Sequence, residues 1–303
     1  MGQAYDIVVA GGGIAGLSAA LAAARLGRKT LVLAGDVLGG NLLSIESVEG
    51  YPGFPEGVPG YELCPMAQGM AAEAGAEFEM APLLRLEGAA PVLRLFTSEN
   101  EYPAKTLIVA TGASPKKLGV PGEERLVGKG VSHCASCDGP MLRGTVVAVV
   151  GGGDSAMQEA LTLANYASRV IVLCRSAALS GQAAYLARVQ AEPKIEVRFK
   201  AEVAEIEGDP AVSGVRLVSG ERMDVAAAFT YIGLQPNTTF LQDRMQLDAA
   251  GRIPTDGAMA TAARGIFAAG LARAGSPGRA VASAGEGAAA ALAAHEFLRG
   301  EDE

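Results

Sequence analysis

Asp6-Ile7-Val8-Val9-Ala10 is a β-branched run that stops at Gly11-Gly12-Gly13, and Ala15 to Leu26 continues as an Ala- and Leu-rich helix. The same order returns downstream: Val146-Val147-Ala148-Val149-Val150, then Gly151-Gly152-Gly153, then a helical stretch from about Ser155 to Ala167. Each helix leads into another apolar strand, Lys29 to Leu33 in the first copy and Arg169 to Leu173 in the second. Strands that alternate with helices in this way predict a parallel sheet with helices on its faces. Two copies predict two dinucleotide-sized modules in one chain.

Each glycine run has a specific spacing. Gly11-x-Gly13-x-x-Gly16 follows a strand and opens a helix, with Ile14 and Ala15 inside the motif. The first glycine permits a tight turn, the second lets backbone approach a pyrophosphate, and the third allows close helix–strand packing. The phosphate would sit on the exposed N–H groups at the positive end of the helix. Gly151-x-Gly153-x-x-Ala156 repeats this context, with Asp154 and Ser155 in the corresponding places. An acid at the end of the second strand would accept the ribose hydroxyls. The first copy offers Ala34 and Gly35 there, with Asp36 one step late, and the second offers Cys174, Arg175 and Ser176. Arg175 either pairs with a 2′-phosphate or is solvated surface.

Composition narrows the function classes. Of 303 residues, 50% are hydrophobic and 19% charged, which is ample for sizeable cores and too apolar for intrinsic disorder. With 25 basic and 33 acidic residues the net charge is −8, so neither nucleic acid nor an anionic membrane is an expected partner. The uncharged stretch from Ile7 to Ala24 holds three consecutive glycines and Ser18 with no basic segment before it, which suits neither a spanning helix nor a signal peptide. A soluble, cytoplasmic protein is the expectation. Gly119-Val120-Pro121-Gly122 looks like a linker, and a second boundary is expected near Asp243 to Gly251.

Four cysteines in a chain of this length are no secreted disulfide framework. Two of them form Cys134-Ala135-Ser136-Cys137, directly followed by Asp138-Gly139-Pro140. A closed zinc site needs four ligands, and Cys64, Cys174, His133 and His295 are scattered without a second paired spacing, so no metal is expected. A redox dithiol beside a nucleotide module is the better reading, because close thiols stabilise a thiolate and can close a small ring. Asp138 could shuttle a proton to a thiolate or cap a turn. His133 reads as structural, and Cys64 and Cys174 as small apolar fillers.

These motifs, in this order, resemble the low-molecular-weight thioredoxin reductases from about Tyr5 to Leu298. The resemblance includes Gly39-Gly40-Asn41, Ala110-Thr111-Gly112-Ala113, Leu118 to Glu123, Cys134 to Gly139, Gly151 to Ala156 and Gly265 to Gly270. It implies an α/β homodimer of chains with two Rossmann-like, three-layer domains, the second inserted into the first. FAD would bind the discontinuous domain of residues 1–115 and 245–303, and residues 116–244 would carry the dithiol. Beyond the first glycine loop, the resemblance places FAD against Gly35, Gly40, Asn41 and the Ala110-Thr111-Gly112 turn. It also places FAD against Gly270, Leu271, Arg279 and Ala280. Cys137 would lie against the flavin, Cys134 would attack the disulfide of a thioredoxin-like protein, and Asp138 would donate and accept the proton. One flavin face cannot touch a nicotinamide and a disulfide at once, so the inserted domain would swing between half-reactions.

Three departures stand out. The family's NADPH pattern His-Arg-Arg-x-x-x-Arg-Ala reads here Cys174-Arg175-Ser176-Ala177-Ala178-Leu179-Ser180-Gly181. Each lost charge-assisted contact is worth about 1.5–3 kcal/mol, which predicts a steep loss of NADPH affinity. The family's Gly-Asp, whose acid holds the flavin ribityl chain, is Gly270-Leu271, and its Arg-Gln pair aligns with Gly278-Arg279. The expected function is a flavin-dependent disulfide reductase fed by a reduced ferredoxin or a second flavin. The alternatives are a conventional NADPH-dependent thioredoxin reductase with a remodelled phosphate pocket, a non-catalytic redox sensor, and a dithiol oxidase running in reverse, since potentials set the direction.

Overall fold

The computed structural model describes residues 4–302. In chain order the first part holds β1 (Tyr5–Ala10), α1 (Ile14–Arg25), β2 (Thr30–Leu33), α2 (Gly60–Glu73), β3 (Glu77–Glu79), β4 (Arg85–Ala89), β5 (Val92–Phe96) and β6 (Glu101–Val109). Then come β7 (Ala113–Pro115), β8 (Val131–Ser132), α3 (Ala135–Asp138), β9 (Val146–Val150), α4 (Asp154–Ala164), β10 (Arg169–Cys174), α5 (Ala183–Ala191) and β11 (Ile195–Phe199). The rest is β12 (Val203–Gly208), β13 (Val212–Leu217), β14 (Arg222–Asp224), β15 (Ala227–Thr230), β16 (Leu234–Pro236), β17 (Ile266–Ala268) and α6 (Ala280–Asp302). The chain divides into two compact units, one running to Ser114 and resuming at Gln235, the other Pro115–Leu234.

In the first unit the sheet order is β3-β2-β1-β6-β5-β4. The strands from β3 to β6 run parallel, while β5 and β4 turn back antiparallel. The long strand β6 pairs with β5 through its first residues and with β17 through Leu107–Val109. Side chains alternate across the sheet, so Ile7 and Val9 face the Ala-rich surfaces of α1 and α6. Val8 and Ala10 face a second core with Leu93, Leu95, Leu241 and Ile253. The alanines on α1 and α6 let the two helices approach closely: a Cβ on Gly287 of α6 would lie 1.9 Å from the Ala15 carbonyl oxygen.

The second unit repeats the design with a five-stranded parallel sheet, β11-β10-β9-β15-β8. Val147 and Val149 of β9 pack on Ala156, Ala160 and Leu163 of α4. Ala148 and Val150 face Ile206, Val215 and Leu217 of the antiparallel β12-β13-β14 sheet, which forms the third layer.

Two boundary expectations change. Gly119 to Gly122 lies wholly within the second unit. There the buried Glu123 carboxylate accepts from the Leu118 and Gly119 N–H groups over 2.8 and 2.7 Å, which makes the stretch a fixed turn. The second crossing falls between Leu234 and Gln235, ahead of the expected residue 245. Asn237 is the reason: its N–H donates to the Gly112 carbonyl at 3.1 Å and its side-chain amide to the Thr111 carbonyl at 3.0 Å. Leu241 is buried in the first unit's core with Leu86.

Candidate active site

The first glycine loop divides its labour as steric demand requires. Gly11 has φ of 114°, and a Cβ there would lie 2.2 Å from the Ala110 carbonyl oxygen. A Cβ on Gly16 would lie 1.9 Å from the Gly11 oxygen, so strand end and helix touch backbone to backbone. Gly13, the N-terminal cap of α1, has no atom within 4 Å of its Cβ position. That open face lies beside the unpaired N–H groups of the first helical turn, where an anion is favoured.

Other expected residues gather around it. Gly39 donates its N–H to the Gly12 carbonyl at 2.8 Å, and Gly40 approaches Gly13. The Asn41 amide donates to the Ala113 carbonyl at 2.7 Å, and the Thr111 hydroxyl to the Asn237 carbonyl at 2.7 Å. A Cβ on Gly270 would lie 3.0 Å from that of Ala15, which brings the loop before α6 onto the start of α1. Gly35 follows β2 with φ of 84°, Leu271 is half-buried, and Arg279 is exposed beside Ala280.

The sequence reading missed a charged pair in this loop. Glu286 accepts from the Gly270 N–H at 2.8 Å and pairs with Arg273 at 2.9 Å, with both side chains largely buried. Among the described residues, Arg273 Nε and Ser276 Oγ are buried without a hydrogen-bond partner. An open glycine face and two unsatisfied buried polar atoms fit a polar, phosphate-bearing ligand such as FAD.

The second loop is built alike but is covered. A Cβ on Gly151, whose φ is 149°, would lie 2.3 Å from the Tyr231 carbonyl oxygen, and Ala156 is fully buried. Here the segment after β10 folds back. The Ser180 N–H donates to the Gly152 carbonyl at 2.7 Å, and the Gln182 N–H to Asp154 Oδ1 at 2.7 Å. The Ser180 carbonyl oxygen lies 3.7 Å from the Cβ position of Gly153. Arg175 and Ser155 are exposed.

The cysteine pair is a disulfide at the start of α3. Cys134 Sγ accepts from the Cys137 N–H at 3.2 Å, and the Cys134 N–H donates to Ser132 Oγ at 3.0 Å. Cys137 is exposed and Cys134 half-buried. Asp138 makes no capping bond; its side chain lines a cavity of about 90 Å³ with Met141, Leu142 and Phe229. His133 Nδ1 sits 3.0 Å from the Thr230 carbonyl, a structural bridge to β15. Cys64 and Cys174 are buried free thiols, and burial pushes the Cys64 thiol up to about 11.

A family model of the pyridine nucleotide-disulphide oxidoreductases matches residues 5–287. The chain belongs to that family. A thioredoxin reductase from Mycolicibacterium smegmatis is 39% identical over 306 residues, covering 98% of each chain. The crystal structure of Lactococcus lactis thioredoxin reductase matches with a TM-score of 0.94 at 35% identity, covering 98% of this chain and 99% of that one. A ferredoxin-flavin thioredoxin reductase from Clostridium acetobutylicum matches with a TM-score of 0.53 at 28% identity, covering 98% of this chain and 98% of that one.

This pyridine nucleotide-disulphide oxidoreductase is a thioredoxin reductase-like flavoenzyme. Within that family its departures have physical form. Leu271 stands where an acid is expected, and the acid nearest the Gly270 backbone is Glu286, supplied by α6. Arg175 is the sole cation from Cys174 to Gly181. Periodicity could not reveal Glu286 or Asn237, whose partners lie 16 and 126 residues away in sequence. Among the described residues no helix is long and apolar enough to cross a membrane.

Proposed function

We propose that this enzyme reduces the disulfide of a thioredoxin-like protein through Cys134 and Cys137, with electrons from a donor other than NADPH. A reduced ferredoxin or a second flavin is the class of donor. The observation that carries the reading is the cation count after β10: Arg175, which is exposed, is the sole cation from Cys174 to Gly181, where the resemblance expects three arginines. The 2′-phosphate of NADPH carries two charges that one exposed arginine matches poorly.

FAD, held at Gly11, Gly13, Gly16 and the Gly270 turn, supplies a two-electron carrier when bound. Once the pair is reduced, the Cys134 thiolate attacks one sulfur of the substrate disulfide. A mixed disulfide forms, and the first substrate thiolate leaves with a proton from Asp138. Cys137 then attacks Cys134 Sγ, the second substrate thiol departs, and the Cys134–Cys137 disulfide is restored. The protein would work as a cytoplasmic homodimer, as the resemblance implies.

A second reading is a conventional NADPH-dependent reductase. The intact Gly151, Gly153 and Ala156 favour it, as does 39% identity to a named thioredoxin reductase. One experiment separates the two: an anaerobic visible spectrum of the purified protein, mixed first with NADPH and then with NADH. A flavin band that ignores both nucleotides and bleaches with dithionite supports the proposal. Bleaching by micromolar NADPH within seconds establishes the second reading, and a colourless protein overturns both.

A further inference from the structure

Beneath the dithiol lies a buried carboxylate that the proposed chemistry does not use. Glu159, on the second turn of α4, is 6% exposed. Its Oε2 accepts from the Ala135 N–H at 3.2 Å and from the Tyr231 hydroxyl at 3.3 Å. Ala135 directly follows Cys134, so the carboxylate is bonded to the peptide that joins them. Tyr231 continues from β15 and reaches the same point. Its hydroxyl is held far above its ordinary pKa, first by burial, then by the charge and hydrogen bond of Glu159, with a smaller push from Asp138. Glu159, Tyr231, Asp138 and the two sulfurs therefore form one group in the second unit.

A buried carboxylate is a costly feature unless it does something that an apolar residue could not. Holding the Ala135 N–H needs only a neutral acceptor. An ionised Glu159 would add a charge that a neutral acceptor lacks. Reducing the pair breaks the Sγ–Sγ bond and adds two electrons, which leave negative charge on sulfur until protons arrive. In a low-dielectric interior a neighbouring fixed anion opposes that charge.

We infer that Glu159 is a positioning residue that holds the Cys134–Cys137 pair at a lower reduction potential, which makes the dithiol a stronger reductant toward its protein substrate. Tyr231 moderates the effect, because its hydroxyl donates to the same oxygen. The inference rests on the reading that this pair cycles between disulfide and dithiol.

The test equilibrates the anaerobic holoenzyme with dithiothreitol and its cyclic disulfide at one fixed pH, then alkylates and weighs the protein. Each dithiothreitol gives two electrons and two protons to the pair and closes its own ring. Glu159→Gln keeps an acceptor for Ala135 and removes the charge. Its equilibrium should move about tenfold toward the dithiol, which is about 30 mV for a two-electron couple. Tyr231→Phe leaves the charge less compensated and should move two- to fivefold toward the disulfide. Circular dichroism and flavin content establish that each variant is folded.

A parent pair that dithiothreitol cannot reduce overturns the disulfide-reductase reading, and this inference with it. A parent that cycles while Glu159→Gln stays within twofold of it overturns the inference alone. So does a Tyr231→Phe variant that shifts toward the dithiol.

Discussion

Ser180 lies on Gly152: its N–H donates to the Gly152 carbonyl over 2.7 Å, and its hydroxyl reaches the same oxygen at 3.4 Å. A turn whose glycines would let backbone approach a phosphate is thus bonded to its own chain. Gly12 of the first loop is bonded likewise, its carbonyl accepting from the Gly39 N–H at 2.8 Å, but the Cβ position of Gly13 beside it is clear for 4 Å, whereas the Ser180 carbonyl oxygen lies 3.7 Å from that of Gly153. The two modules share a sequence pattern and differ in what lies over it.

If the missing cations explain donor choice, restoring them should reverse it. Ser176 and Ser180 are both exposed, so arginine can be placed at each without disturbing the core. The double variant Ser176→Arg/Ser180→Arg should lower the NADPH concentration that half-saturates flavin bleaching on the order of 100-fold, from two charge-assisted contacts. Stopped-flow absorbance would check this. A variant as indifferent to NADPH as the parent would mean that the covering segment, not the charge, sets the donor.

Both strand–glycine–helix units were legible because their signal is local. The helices expected at Ala15 to Leu26 and from Ser155 form at Ile14–Arg25 and Asp154–Ala164. The dithiol was legible for the same reason. Invisible were the features that pair distant residues. The Ser180 cover, the Glu159–Tyr231 bond and the Arg273–Glu286 pair each need the fold to bring their partners together. The second boundary was misplaced because Gly251 punctuates a loop, whereas Asn237 ties the chain to the first unit through hydrogen bonds that no spacing encodes.

Gly13 and Gly16 predict opposite phenotypes for the same change. Gly16→Ala drives a methyl to 1.9 Å from a backbone oxygen, so the strand end must shift. The apoprotein should lose about 3 kcal/mol in urea unfolding, an overpacking cost. Gly13→Ala has room and an ordinary φ of −77°, so apoprotein stability should stay within about 0.5 kcal/mol. The same methyl stands where a pyrophosphate would approach, and FAD affinity by fluorescence quenching should fall more than about tenfold. Equal FAD affinity in Gly13→Ala would remove the pyrophosphate from this loop.

The free thiols should be silent in the native protein. Burial lifts the Cys64 thiol to about 11, and only the thiolate is a nucleophile. With the Cys134–Cys137 pair oxidised, iodoacetamide at pH 8 should leave Cys64 and Cys174 unmodified for hours and label both once urea is added. A pKa raised in the folded state favours the neutral thiol there. Its contribution to stability is therefore complete below the unfolded value and is lost as pH rises through about 11. Fast labelling of Cys64 at pH 8 would contradict its burial.

The Arg273–Glu286 pair gives the sharpest test of the Gly270 turn. Its side chains are 15% and 9% exposed, so desolvation costs both charges and neither tolerates the loss of the other. Arg273→Met leaves the Glu286 carboxylate with the Gly270 N–H and no counter-charge. Apoprotein stability in urea should fall by about 3–5 kcal/mol. Arg273→Met/Glu286→Gln removes both charges while the amide oxygen can still accept from Gly270, and it should recover at least half of that loss. Non-additivity of this sign is the signature of a coupled buried pair. A double variant no more stable than the single one would show that Arg273 acts through packing. In that case the turn is held by the Gly270 approach to Ala15.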